Sequence, residues 1–144
     1  MTRPRPRSRA RPARQEPAPL VLVCDDNVQD REMYATYFLA RGFRVQTAGD
    51  GETGFRYAVE SRPDVIVMDL SMPRLDGWEA TRRLKADGRT RHIPVIACTG
   101  HAFGASVERA LIVGCDAYVV KPCAPDDLLK EVRRLLARSR SAEA

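Results

Sequence analysis

The sequence predicts an α/β fold, a single doubly wound (βα)5 parallel sheet with strand order 2-1-3-4-5. Three observations lead there. Short apolar runs alternate five times with helical periodicity between Leu20 and Arg138, about 120 residues. Several runs are apolar at consecutive positions, as VIVM at 65–68 is, which suits strands buried on both faces of a parallel sheet. Glycine, proline or aspartate punctuates the boundaries, as at Gly42, Pro63, Gly88 and Gly114.

The elements follow in order. The first strand is Leu20–Cys24, and the helix after it covers residues 28–41, with Met33, Tyr34, Tyr37 and Phe38 on one face and Gly42 as its stop. Phe43–Thr47 is the second strand, followed by a helix over Glu52–Glu60 that ends before Arg62–Pro63. Val65–Met68 is the third strand. The helix Gly77–Ala86 follows, with Asp76 as its N-cap and Asp87–Gly88 as its end. Pro94–Cys98 is the fourth strand, and Ala105–Val113 the helix that Gly114 stops. Ala117–Val120 is the fifth. The last helix, Asp126–Ala137, begins after Pro125 and carries Leu128, Leu129, Val132, Leu135 and Leu136 as its apolar stripe.

A chain of 144 residues is one domain by length and buries enough surface to fold without a disulfide or a structural metal. Its four cysteines form no C-x-x-C pair and have no histidine at ligand spacing, which excludes a zinc module, and Cys24 and Cys98 read as core. No apolar run reaches the length of a membrane span and no signal-peptide core precedes the first strand, so a cytoplasmic location is expected.

The net charge of +5 belongs to one segment. Residues 1–19, MTRPRPRSRARPARQEPAP, hold six arginines and one glutamate, and residues 20–144 hold 18 basic and 18 acidic side chains. With five prolines and no aromatic residue, this tail lacks the apolar area to offset ordering and is expected to be disordered or transiently polyproline II. Two readings stay open for it: binding of nucleic acid or an anionic membrane through counterion release, or a solvated leader without a role, including one that arises from an upstream start codon. The folded domain is expected over 20–138, with 139–144 as a short C-terminal tail.

In a doubly wound sheet, sites form outside the carboxyl ends of the strands. Only a few polar residues stand there: Asp25 and Asp26 after the first strand, Asp69 after the third, Thr99 after the fourth, and Lys121 followed by Pro122 after the fifth. Strands one, three and four are neighbours in the expected order, about 4.8 Å apart. Three carboxylates at that separation repel, so either a proton or a divalent cation must join them. Hard oxygen ligands with open positions suit Mg²⁺. A cation, a hydroxyl (Thr99), an ammonium (Lys121) and a nucleophilic carboxylate (Asp69) together make a phosphoryl-transfer site. Each residue alone is weak evidence, because Asp-Asp pairs commonly open helices and Lys-Pro commonly sits in a loop; the joint occurrence at four strand ends is specific.

LVLVCDDN, AGDG, VIVMDLSMPRLDGWE, IPVIACTG and GCDAYVVKP, running from Leu20 to about Arg138, resemble the receiver domain of two-component response regulators, and the stand-alone, chemotaxis-regulator-like kind in particular. That resemblance implies a flavodoxin-like fold and a signalling protein, not an enzyme. Asp69 would be the phosphoacceptor, charged by a histidine kinase or phosphotransfer protein. Mg²⁺ would be held by Asp25, Asp26, Asp69 and the backbone carbonyl of Ser71. Lys121 would pair with a phosphoryl oxygen, its bond to Pro122 would be cis, and Thr99 and Tyr118 would form the switch pair.

Gly100 stands where such domains commonly carry alanine. Ser71 and His101, two residues beyond Asp69 and Thr99, flank the path of attacking water and are expected to tune phosphoryl lifetime. The output is expected to leave through residues 102–138, where Leu111, Ile112 and Val113 cannot all face inward and Ile112 is the candidate for exposure. Two other classes stay open: a scaffold whose Asp69 is never phosphorylated, and a Mg²⁺-dependent aspartyl-phosphate phosphatase. The phosphatase type needs a second aspartate two residues after the nucleophile, where this chain has Ser71.

Overall fold

The computed structural model describes residues 17–72, 74–100 and 104–143. The expected disorder of residues 1–16 and the expected role of His101 therefore lie outside the described residues. Five strands alternate with five helices: β1 (Leu20–Cys24), α1 (Val28–Ala40), β2 (Arg44–Ala48), α2 (Gly51–Ser61), β3 (Val65–Asp69), α3 (Gly77–Ala86), β4 (Val95–Thr99), α4 (Gly104–Ile112), β5 (Ala117–Val120) and α5 (Pro125–Glu143). The strands form one parallel sheet in the order β2-β1-β3-β4-β5.

The strand pleat sorts the apolar runs into two layers. Val21, Val23, Val65, Val67, Ile96 and Cys98 face one side, where Tyr34 and Phe38 of α1 and Leu128, Val132 and Leu135 of α5 cover them. Leu22, Cys24, Ile66, Met68, Val95 and Ala97 face the other, against Ala58 of α2, Ala80 and Leu84 of α3, and Ala110 of α4. The three inner strands are buried on both faces, whereas edge strands β2 and β5 are half-buried, so continuous apolar character marks the inner strands. Cys24 and Cys98 are core residues, as their neighbours imply.

Capping accounts for the helix ends. Asn27, Asp50 and Asp76 accept hydrogen bonds from the N–H groups of Asp30, Thr53 and Glu79. Gly42 (φ 88°) and Gly114 (φ 100°) take left-handed backbone just past α1 and α4.

Several boundaries differ from the sequence expectation. Phe43 lies ahead of β2 as a core residue, and β3 and β4 each run one residue further, to Asp69 and Thr99. Hydrogen bonding across the ladder sets those ends, and hydropathy does not report it. Met33 is exposed: the buried face of α1 is the i, i+4 pair Tyr34 and Phe38, and Met33 lies about 100° round the helix from it. Helix α5 continues to Glu143 through a stretch free of glycine and proline. At the other end, Arg44 donates from its backbone N–H to Pro19 O (2.9 Å) and from Nε to Ala18 O (2.7 Å), so backbone pairing begins two residues ahead of Leu20. Among the described residues no helix is long and apolar enough to cross a membrane.

Candidate functional site: an acidic cluster at the carboxyl ends of the strands

Asp69 closes β3 as a strand residue in register with Cys98 of β4, and the following N–H, of Leu70, donates to Cys98 O at 3.0 Å. Its carboxylate is thereby fixed at the sheet edge. Gly77, the first residue of α3, makes the turn behind it possible: a Cβ there would lie 2.1 Å from the Asp69 carbonyl oxygen and 2.6 Å from Leu70 Cα. The helix start is pressed directly on the strand end, and only glycine fits.

Asp25 follows β1, its N–H donating to Ala48 O at 3.0 Å. Oδ1 of Asp25 accepts from Asn27 N–H (2.9 Å), and its carbonyl accepts from Arg31 Nη1 (2.9 Å). Asp25, Asp26 and Asp69 each offer a carboxylate oxygen, and these three atoms lie within 4.8 Å of one another. Asp25 is 2% exposed and Asp69 7%, while Asp26 stands open to solvent. The cluster is a buried floor with a wet mouth.

Lys121, after β5, reaches across three strand ends. Its Nζ donates to Asp25 Oδ2 at 2.7 Å, stands 3.5 Å from Asp69 Oδ2, and is 3.6 Å from Asp30 Oδ2. Its backbone N–H donates to Thr99 O at 2.8 Å, and the Lys121–Pro122 peptide is cis, as the resemblance implied. Burial would by itself lower the Lys121 pKa, but the hydrogen bond to Asp25 and the charges of Asp69 and Asp25 overcome it and raise it.

The Asp69 carboxyl is pushed up to about 6, chiefly by burial; Ser71 N–H (3.1 Å from Oδ1) and the Lys121 ammonium pull it down, and Asp25 and Asp26 push it up again. Desolvation wins because one ammonium is shared among three carboxylates. A second positive charge would relieve that balance. Three convergent carboxylate oxygens, two of them buried, fit a hard divalent cation such as Mg²⁺.

Thr99 ends β4, buried beside this cluster and in register with Val120. Tyr118 lies on β5 opposite Ala97 and is 42% exposed, its ring turned away from the acidic site. Ser71 is exposed one step past Leu70. Asp50 caps α2, where Thr53 N–H holds its carboxyl below the usual range.

Sequence reasoning missed three participants: Asn27, Arg31 and Asp30. Asn27 carried a signal, since an asparagine three residues ahead of Asp30 at a helix start is an N-cap pattern. Arg31 and Asp30 carried none, because their approach depends on the phase at which α1 leaves β1.

The chain matches the family model for the response regulator receiver domain over residues 21–133. It is 34% identical over 116 residues to the polar-differentiation response regulator DivK of Brucella anthropi, covering 81% of this chain and 94% of that one. It is 34% identical over 121 residues to the DNA-binding dual master transcriptional regulator RpaA of a Synechocystis species, of which it spans only half. Among solved structures, the receiver domain of the sensor histidine kinase PA1611 from Pseudomonas aeruginosa, determined with a magnesium ion coordinated in its active site cleft, superposes with a TM-score of 0.78 at 31% identity, covering 83% of this chain and 98% of that one. The chemotaxis response regulator CheY4 of Vibrio cholerae gives 0.78 at 29% identity, covering 82% and 98%. A buried aspartate at the end of the central strand, two more carboxylates beside it and a lysine spanning them are thus set in a family frame: this chain belongs to the response regulator receiver domains.

Proposed function

We propose that this protein is a single-domain response regulator of the cytoplasm that accepts a phosphoryl group on Asp69 from a histidine kinase or phosphotransfer protein, and that its phosphorylated form signals by protein contact. The observation that carries this reading is the convergence of Asp25, Asp26 and Asp69 within 4.8 Å, with Lys121 bridging Asp25 and Asp69.

Asp25, Asp26, Asp69 and the Ser71 carbonyl would hold Mg²⁺, as the cleft of the PA1611 receiver holds its ion. When bound, the ion neutralises charge building on the phosphoryl oxygens. The remaining work falls to the chain. Ser71 N–H orients Asp69 Oδ1 and leaves Oδ2 to attack phosphorus. As that O–P bond forms, the P–N bond to the donor imidazole breaks, and its electron pair stays on the nitrogen, which is reprotonated. Lys121 leaves its carboxylate partners for a phosphoryl oxygen. Thr99 then turns its hydroxyl toward the phosphoryl group, and Tyr118 swings in from its exposed position to fill the vacated space.

Output requires a surface that senses the change. Leu111 (59% exposed) and Ile112 (83%) on α4 lie on the same flank as Tyr118, since α4 packs on β5. An apolar surface whose shape depends on the Tyr118 rotamer suits a downstream protein that distinguishes two states.

Incubation with acetyl phosphate and Mg²⁺, followed by intact-mass measurement, tests the reading. One phosphoryl group per chain, acid-stable and base-labile, is expected, and none in Asp69→Ala. Many turnovers would instead mark a phosphatase, and no modification a scaffold.

A further inference from the structure

The basic leader and the amino-terminal edge of the sheet meet at one place. The chain enters β1 at Leu20, whose N–H donates to Asp64 Oδ2 at 2.8 Å, while Ala18 and Pro19 are tied to Arg44 at the start of β2. Because every strand is parallel, this edge lies opposite the one that carries Asp69. A groove of about 290 Å³ opens beside it, lined by Arg62, Asp64, His92 and Ser139 among others.

Charge here is lopsided in a way the balanced total of residues 20–144 conceals. The carboxylates of this edge are already engaged. Asp64 accepts from Leu20, and Asp116 accepts from Lys85 Nζ and Val95 N–H at 2.9 Å each and pairs with Arg138 at 3.6 Å. Arg44, Arg62 and Arg91 are exposed, and among the described residues none of them pairs with a carboxylate. The sequence feeding into this edge adds six arginines, no lysine and one glutamate.

We propose that residues 1–16, together with Arg44, Arg62 and Arg91, form a binding surface for the phosphate backbone of double-stranded nucleic acid, without base-specific readout. Guanidinium is the group suited to bidentate phosphate contact, and the absence of lysine favours that geometry. Arg3, Arg5, Arg7, Arg9 and Arg11 recur at every second position, which on a polyproline II segment spaces them about 6 Å apart along a phosphate track. No aromatic residue in the segment offers a base a stacking face, so a duplex fits better than a single strand. After Met1 the segment has no apolar side chain beyond alanine and proline, so the buried apolar area that a membrane anchor needs is missing. The surface leaves the acidic site open, so nucleic acid and a phosphodonor can be held at once.

The test measures anisotropy of a short labelled DNA duplex of scrambled sequence with the full chain, at several salt concentrations between about 50 and 200 mM. Binding is expected, with log affinity falling linearly against log salt. In the Arg62→Ser/Arg91→Ser double variant, affinity at low salt should drop several-fold and the slope should flatten by up to about 1.8, with recovery in Arg62→Lys/Arg91→Lys. A full-length variant with serine at the six leader arginines should lose most of the binding. Modification by acetyl phosphate, equal in all variants, verifies their fold. Duplex binding by the double variant equal to that of the parent overturns the proposal, as does binding unaffected by loss of the leader arginines. So does association with anionic vesicles in the absence of duplex binding.

Discussion

Lys121 is hydrogen-bonded to Asp25 at 2.7 Å and stands 3.5 Å from Asp69, so the lysine is held by a carboxylate proposed as a metal ligand more tightly than by the proposed phosphoacceptor. A cation that enters the cluster must compete with this ammonium for Asp25 Oδ2. Lys121→Gln removes the competitor and one positive charge. Titration calorimetry should find Mg²⁺ bound several-fold more tightly by the variant, while acetyl phosphate labels it more slowly. Equal Mg²⁺ affinity in the two proteins would show that Lys121 does not compete.

Asp30 acts on the same lysine from the far side. Its Oδ2 lies 3.6 Å from Lys121 Nζ, and its half-exposed position makes this a weak contact, worth at most about 1 kcal/mol. It nonetheless attracts the group that must move to a phosphoryl oxygen. Asp30→Asn should therefore lengthen the phosphoryl lifetime by up to about fivefold at saturating Mg²⁺, as read by the decay of the labelled mass. A shortened lifetime would mean that Asp30 supports the phosphorylated state.

The raised pKa of Asp69 makes a stability prediction for the metal-free protein. Its carboxyl titrates near 6 in the fold, against a model value of 3.8, because burial penalises the charge. A raised value means that the folded state favours the proton. That contribution to stability is complete below about pH 4 and is lost as pH rises through 6. In EDTA at pH 8, Asp69→Asn should melt several degrees above the parent, a gain of at most about 3 kcal/mol. The difference should shrink below pH 6 and vanish near pH 4. Excess Mg²⁺ should narrow it at pH 8, since only the parent keeps the full ligand set.

Asp25, Asp69, Thr99 and Lys121 could be placed from sequence because each follows an apolar run, and in a parallel sheet every run points its carboxyl end the same way. Their mutual distances could not. Whether Lys121 rests on Asp25, Asp69 or Asp30 is decided by rotamers and by a helix phase set where Asn27 caps α1. The exposed side of Met33 escaped for a related reason: a helix packed by only Tyr34 and Phe38 carries too narrow a stripe for periodicity to orient it. Ile112 was legible as exposed because three consecutive apolar residues cannot share one face of a helix, though Leu111 is exposed as well.

Two glycines near the acidic cluster should respond in opposite ways. At Gly77 a Cβ would meet backbone atoms of Asp69 and Leu70 at 2.1 and 2.6 Å, and backbone cannot yield as a flexible side chain can. Gly77→Ala must push α3 away from the end of β3, so several kcal/mol of stability should be lost and the Asp69 carboxylate displaced. Gly100 follows Thr99, and a Cβ there meets nothing within 4 Å, with no left-handed φ to strain it. Gly100→Ala should be neutral or stabilise by up to about 1 kcal/mol through the unfolded chain. Denaturant melts measure both, and Mg²⁺ titration separates loss of fold from loss of site. A Gly77→Ala protein that is stable and binds Mg²⁺ normally would mean that the β3–α3 turn is far softer than its packing implies.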